Sequence, residues 1–527
     1  MRLPTARLRP GDRRALALWL GSWVGVMFFV AVVPRVLPSI YDGKPYLDRW
    51  AQWDAVRFLD IATYGYGGVP GEKFDPGWPA FFPGYPLALK FTGLFTGGDY
   101  KLAGLVISFL AGGVAALALG RLAEDELTSR RPRRRGSSRG RLSGRTSRLG
   151  DADEPAPDAD AHDRTAHGDL ASAHGSDTVT DDDRDERGGR GDHHEQDDHG
   201  GRDDHGAHGA HGAHGAHGGR GDLGGRGDYG RREGLGGGGT VRHRVHAAEA
   251  APRATVRRSA PFANGTAAPE DDVDVADDQV GTVGAGAVAA MLASPAAVFL
   301  FAGYSESLFL AFALPAWLMA KRGRWAWAAL LATPSSAVRI TGLFLVLAMI
   351  VEYLVGRHGR REQGWAPIGW LVLPFAPLVA YTVYQWHRTG DWMAWQHAQE
   401  AGWHRKFTMP WDAFTLTWKS AFDTDYEFTL AFRIEVFAAA VGVLLSLYLL
   451  YRRRWPELAY VGLQLGALMT SSYYLSIGRA TLLWWPLWLG FGMLALRHRW
   501  LFGAVVAAAA PFALLQLLTF TSGGWVG

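Results

Sequence analysis

The run Trp50-Ala51-Gln52-Trp53-Asp54-Ala55-Val56-Arg57-Phe58-Leu59-Asp60 sets two carboxylates and a guanidinium among aromatic rings, soon after the first apolar stretch of membrane length. If this segment is helical, Arg57 shares a face with Asp54, three residues before it, and with Asp60, three residues after it. Comparable mixtures recur at Phe82-Pro83-Gly84-Tyr85-Pro86, Tyr304-Ser305-Glu306-Ser307, Val338-Arg339-Ile340-Thr341-Gly342 and Ser476-Ile477-Gly478-Arg479. Such residues suit a substrate that is part lipid and part anionic headgroup. Aromatic walls hold a sugar or a lipid tail, arginines hold a phosphate through charge-assisted hydrogen bonds, and a carboxylate serves as general base. Charged groups near membrane depth are costly, which makes them markers of function. Each motif also has a plainer reading. Residues 50–60 fit a juxtamembrane amphipathic helix with tryptophan anchors. Glu306 fits an acid at a helix N-terminus, and Arg339 and Arg479 fit side chains that snorkel to lipid headgroups.

These candidates meet only if the chain crosses a bilayer many times. Residues 15–37 are apolar and follow Arg2, Arg7, Arg9, Arg13 and Arg14. The run is longer than a signal-peptide core and ends at Val36-Leu37-Pro38, so it reads as a retained first span with the N-terminus in the cytoplasm. Residues 38–100 form the first outer loop. Within it, residues 81–95 are apolar but short and rich in Pro and Gly, which predicts a re-entrant or interfacial piece. Residues 101–120 are the second span. From residue 283 onward, apolar stretches alternate with basic clusters at 321–324, 357–361, 452–454 and 497–499. A break is expected at Pro334-Ser335-Ser336. A polar, aromatic outer loop over 385–429 carries Trp392, Trp395, His397, Glu400 and His404, the histidines reading as surface residues. The pattern predicts an all-α polytopic membrane protein of about eleven transmembrane helices, with basic clusters inside and the C-terminus outside. That topology puts Trp53, Asp54, Arg57, Asp60, Tyr85, Tyr304, Glu306, Arg339 and Arg479 on the outer face.

The chain has 527 residues, a formal net charge of +3, 22 tryptophans and no cysteine, so neither disulfides nor thiolate metal sites can form. No His/Asp/Glu cluster has clean metal-ligand spacing, and no metal site is assigned; a need for a divalent cation stays open. No Gly-rich phosphate loop occurs, which argues against nucleotide hydrolysis and a nucleotide cofactor. The isoelectric point near 9.0 reflects arginines at helix ends, and no nucleic-acid partner is expected. Residues 128–279 are charged, Gly-rich and almost free of large apolar side chains, with Arg130-Arg131-Pro132-Arg133-Arg134-Arg135 near their start and a His-Gly-Ala tract over 205–217. Too little apolar surface is present to offset the entropy of ordering, so a disordered cytoplasmic insertion is expected. The histidine tract reads as solvated low complexity, with weak divalent-metal binding as the alternative. The chain thus divides into a first membrane part over 1–127 with outer loop 38–100, the insertion over 128–279, and a second membrane part over 280–527.

The motifs resemble a known family. Trp53-Asp54 through Ile61-Ala62, Tyr64-Gly65-Tyr66 and Ala80-Phe81-Phe82-Pro83-Gly84-Tyr85-Pro86-Leu87 resemble the first outer loop of the PIG-V family, GPI mannosyltransferase II and its bacterial relatives. Ser294-Pro295-Ala296-Ala297-Val298-Phe299, Tyr304-Ser305-Glu306-Ser307-Leu308-Phe309, Val338-Arg339-Ile340-Thr341-Gly342, and Ser476-Ile477-Gly478-Arg479 with Trp485-Pro486-Leu487 are similar to its later elements. The chain departs from the pattern at Thr341, where the family has Asn, and at Ala480, where it has Tyr. The resemblance implies a GT-C-like bundle and an inverting glycosyltransferase in the cell membrane. Its implied donor is a polyprenyl-phosphate sugar, polyprenyl-phosphate-mannose first, and its acceptor a glycan, lipid or protein on the outer face. It implies Asp54 as the base with Asp60 in reserve, Glu306 as an active-site wall, and Arg339 and Arg479 for the lipid phosphate. Trp53, Arg57, Tyr85 and Tyr304 complete the expected substrate contacts. Another sugar on the same kind of carrier is the nearest rival. A lipid or solute transporter is the competing class, but paired broken helices in two hydropathy repeats are not seen.

Overall fold

A computed structural model describes residues 8–41, 43–130, 270–359, 364–424 and 428–526. The first part contains α1 (Pro10–Val36), α2 (Asp54–Tyr64), α3 (Gly84–Gly93) and α4 (Tyr100–Arg130). The second contains α5 (Glu270–Leu292), α6 (Val298–Phe301), α7 (Ser305–Lys321), α8 (Trp325–Val338), α9 (Thr341–Gly359), a 3-10 helix over Ala366–Phe375, α10 (Ala376–Thr389), α11 (Ala394–Trp403), α12 (Pro410–Phe422), α13 (Thr429–Tyr451), α14 (Trp455–Met469), α15 (Ile477–Ala480), α16 (Trp485–Arg497) and α17 (Arg499–Ser522). Among the described residues there is no strand, only an isolated antiparallel bridge between Phe407 and Ser471. The insertion expected over 128–279, with its histidine tract, falls mostly outside the described residues. Its two margins are helical, α4 reaching Arg130 and α5 starting at Glu270.

Five helices are long and apolar enough to cross a membrane: α1, Tyr100–Ser129 of α4, the joined run Ala366–Thr389, α13 and α17. Up to six result if Asp278–Leu292 of α5 and Pro295–Phe301, bent by 77°, count as one span. Pro295 accounts for the bend, because the residue before a proline is pushed out of helical geometry. A crossing takes about 20 residues. Helices α7, α8, α14 and α16 have 17, 14, 15 and 13 residues. By length and composition the described residues therefore give five or six spans where the sequence reading counted about eleven.

Two local expectations differ from the structure. The break at Pro334 is absent, and α8 runs through it to Val338. The hydroxyls of Thr333, Ser335 and Ser336 donate to the carbonyls of Ala329 and Ala332, the kind of side-chain bond that tolerates proline inside a membrane helix. The chain leaves the helix at Arg339 instead, in extended geometry. The outer loop over 385–429 is also more ordered than a loop, since it holds α11 and α12. The apolar piece over 81–95 contains α3, ten residues and therefore about 15 Å long, too short to cross. It leaves Leu87, Phe91, Leu94 and Phe95 exposed, as an interfacial element would.

Charge marks the two ends of α4. Near its C-terminus Arg121 pairs with Asp12 at 2.9 Å, Asp125 with Arg322 at 2.8 Å and Glu126 with Arg454 at 3.1 Å. Arg14 of α1 also pairs with Asp278 of α5 at 2.7 Å. Basic residues that the sequence assigned to separate inner loops thus meet at one end. Twenty residues earlier on α4 than Glu124, Gly104 lies against Gly303, beside the turn that begins α7. At 1.5 Å per residue these levels are about 30 Å apart, the thickness of a bilayer's hydrocarbon core.

Candidate functional site

Four segments distant in sequence deliver four charged side chains to the Gly303 end. Asp54 opens α2, Glu306 lies in the first turn of α7, Arg339 sits in the extended link between α8 and α9, and Arg479 is on α15. Arg479 donates from Nη1 to Asp54 Oδ2 at 2.6 Å and from Nε to Glu306 Oε1. Arg339 donates from Nη1 to the same Glu306 oxygen at 2.6 Å and to Ser305 Oγ at 2.8 Å. Glu306 is fully buried, whereas the Asp54 side chain is 24% exposed. Two guanidinium groups and two carboxylates make the cluster neutral overall. That balance is what lets ions persist in a place of low dielectric. Burial opposes the charge on Arg479, and Glu306 and Asp54 outweigh it, holding the guanidinium above its ordinary pKa.

Local sequence explains how each group is held. Tyr304 is buried, with its ring 4.9 Å from the Arg479 guanidinium; Phe299 lies 5.1 Å from it. Tyr304 Oη donates to the Gln52 carbonyl at 3.0 Å, tying the α7 turn to the residues just before Asp54. Trp53 takes a φ of 55°, unusual for a residue with a Cβ, and its indole donates to the Gly524 carbonyl at 3.0 Å. Gly65 closes α2 with φ 71°. Gly84 lets α3 touch the end of α8, since a Cβ there would lie 2.6 Å from the Ala337 carbonyl group. The Phe-Pro-Gly-Tyr-Pro motif therefore sets the position of the backbone that leads into Arg339.

The remaining expected residues lie around this cluster rather than in it. Tyr85 is fully buried, its ring 4.8 Å from Phe58 and its hydroxyl without a hydrogen bond among the described residues. Arg57 pairs with Asp75 at 2.8 Å and with Asp60 at 3.9 Å, while Asp54 turns to Arg479. Asp60 is half-buried on the later part of α2; burial raises its pKa, with Arg57 opposing and Glu72 adding to the rise. His397 is exposed and pairs with Asp391 at 2.6 Å, and His404 ends α11 in a left-handed conformation. No group of three or more His, Asp or Glu able to hold a metal occurs among the described residues.

Two residues escaped the sequence reading. Glu435, buried in α13, accepts backbone N–H bonds from Ser476 at 2.8 Å, Ile477 at 2.6 Å and Gly478 at 3.2 Å. It fixes the turn, with Ser476 at φ 66°, from which Arg479 projects. An acid inside a 23-residue apolar helix was the available signal. The second is Arg405, between α11 and α12, whose Nη2 donates to the Leu475 carbonyl at 3.1 Å and Ser476 Oγ at 3.5 Å. Burial draws its pKa down, with Asp54 the largest opposing influence. Nothing in its local sequence sets it apart from the other arginines. No family model, curated protein or solved structure matches the chain.

Proposed function

We propose that this chain is an integral-membrane glycosyltransferase of the GT-C kind that moves mannose from polyprenyl-phosphate-mannose to a glycan, lipid or protein hydroxyl. The observation that carries the reading is the Asp54–Arg479–Glu306–Arg339 cluster, assembled from the segments that bear the family-like motifs. Only Oδ2 of Asp54 is bonded among the described residues, and the side chain is partly exposed. Its other oxygen takes the proton of the acceptor hydroxyl as the hydroxyl oxygen attacks the sugar C1. The C1–O bond to phosphate breaks, polyprenyl phosphate leaves with the electron pair, and the anomeric centre inverts. Arginine guanidinium groups near the leaving phosphate favour the developing charge. In this reading the shorter helices also cross, giving about eleven spans, with the N-terminus in the cytoplasm, the C-terminus outside and the cluster on the outer face of the cell membrane. The pairing of inner-loop arginines at the far end of α4 supports that orientation.

The test uses purified protein in lipid, radiolabelled polyprenyl-phosphate-mannose and a crude acceptor extract. Wild type should transfer label, and Asp54→Asn should transfer it about 10²–10⁴-fold more slowly at equal folding. Equal rates would move the base to another residue. No transfer by wild type, with the carrier lipid moved across the bilayer, would overturn the enzyme in favour of a transporter.

A further inference from the structure

The two arginines first assigned to a phosphate are already occupied. Arg339 and Arg479 converge on one oxygen of Glu306, and Arg479 also holds Asp54. The cluster they form has no excess positive charge with which to bind an anion. A third guanidinium stands beside it. Arg405 bonds to the carbonyl of Leu475, to the hydroxyl of Ser476, three residues before Arg479 on the same turn, and to Gln399 Oε1 at 3.5 Å. Among the described residues it has no carboxylate within ion-pair distance; its neighbouring acids are committed elsewhere, Asp54 Oδ2 to Arg479 and Glu435 to three backbone amides. Its buried Nε makes no hydrogen bond there either. A guanidinium kept without a direct carboxylate partner and with a donor unspent is poorly explained by packing alone, because an unmade buried bond is costly.

The segment bearing Arg405 is braced rather than free. Lys406 N donates to Ser472 Oγ at 3.1 Å, that hydroxyl donates to the His404 carbonyl at 2.7 Å, and Thr408 N donates to the Thr470 carbonyl at 2.8 Å. Trp403 packs edge-on against Phe81 of the first outer loop, with centroids 5.4 Å apart. The segment that carries Arg405 is thus held by both the first and last outer segments.

We propose that Arg405 is the primary anchor for a phosphate group at this site, with Arg339 and Arg479 serving chiefly to hold the two carboxylates. The ligand class is a phosphate mono- or diester. This rests on the glycosyltransferase reading only for the sugar; the anion site itself does not require transfer.

The test measures binding rather than turnover, in nanodiscs of neutral phospholipid, with polyprenyl phosphate and uncharged polyprenol as probes. Wild type should prefer the phosphate. Arg405→Gln, which keeps a polar side chain and loses the charge, should weaken phosphate binding about 10–100-fold and leave polyprenol binding unchanged. Competition by inorganic phosphate assigns the site to the bare anion, and its absence to a headgroup presented from lipid. Should the variant fold poorly, wild-type protein still decides: polyprenyl phosphate, and not polyprenol, should protect Arg405 from phenylglyoxal as read by mass spectrometry. Equal binding of the two probes, unchanged binding by Arg405→Gln, or no protection at Arg405 overturns the proposal. Sugar transfer by a protein in which Arg405→Gln binds normally would sink the anchor and keep the enzyme. Arg405-dependent binding without transfer would do the reverse.

Discussion

Replacing Glu435 with Gln isolates the device that aims Arg479. The two carboxylate oxygens divide three backbone donors: Ser476 N goes to Oε1, and Ile477 N and Gly478 N go to Oε2. A glutamine in the same place has one acceptor oxygen. Its best orientation keeps the pair at Ile477 and Gly478 and turns an NH₂ group against the Ser476 N–H. One charge-assisted bond is lost, worth roughly 1.5–3 kcal/mol, and the retained bonds become neutral and weaker. A net cost of about 3 kcal/mol to the local fold is expected, or about a 10²-fold larger opening constant. Hydrogen exchange of residues 476–480 in nanodiscs reads this directly, since local opening sets the rate. Exchange should accelerate by about that factor there, with α4 unaffected, and any transfer activity should fall with it. Unchanged exchange at 476–478 would refute the argument that Glu435 holds the turn.

Other perturbations separate stability from chemistry. Glu306→Gln leaves Arg339 and Arg479 without their shared charge, and breaking a buried pair in this way costs about 3–5 kcal/mol; its melting temperature in detergent should fall well below that of Asp54→Asn, where the carboxylate removed is itself nearer solvent. Gly84→Ala forces α3 away from the Ala337 backbone, and overpacking of this kind should lower stability by about 1–3 kcal/mol in the same melts. The pKa of Asp60 is raised by burial, so the folded state binds its proton more readily than the unfolded state. Stability is therefore lost as pH rises from the ordinary carboxylate range through the raised value, and Asp60→Asn should melt higher than wild type at neutral pH but not below that range. Deleting residues 131–269 and joining α4 to α5 through a short Gly/Ser linker should leave transfer intact; lost activity at normal expression would show that the segment contributes.

Much of the candidate site was legible because membrane depth makes charge conspicuous. Asp54, Glu306, Arg339 and Arg479 each stood out against apolar neighbours, and the topology put them on one side before their pairing was known. The pairing itself was not legible. Helical spacing suggested Asp54 with Arg57, but a local partner on a helix surface lost to Arg479, 425 residues away, which sits beside two aromatic rings. The Phe-Pro-Gly-Tyr-Pro motif was legible as distinctive, but the close approach it makes at Gly84 to the end of α8 was not. Helix ends were harder still. Pro334 reads as a break unless the neighbouring hydroxyls are seen to bond back to their own helix. The span count is a matter of the same kind: several apolar stretches fold as helices of 13 to 17 residues, whose length alone does not mark a crossing.

The separation between Asp54 and Arg479 also bears on how the protein is made. Glu306 and Arg339 are 33 residues apart and can pair soon after both are synthesised. Asp54 enters the membrane early and has no such companion; its guanidinium emerges 425 residues later, near the moment when Gly524 becomes available to the Trp53 indole, 471 residues from it. Contacts of such long range form late, after the loop-closure entropy has been met. A nascent chain therefore carries Asp54 long before it can neutralise it, and the constellation closes only once residue 479 has been made. Ribosome-bound intermediates would be chemically silent, and a chain stalled before residue 479 would present uncompensated acid at the membrane boundary, a recognisable mark for the machinery that removes incomplete membrane proteins.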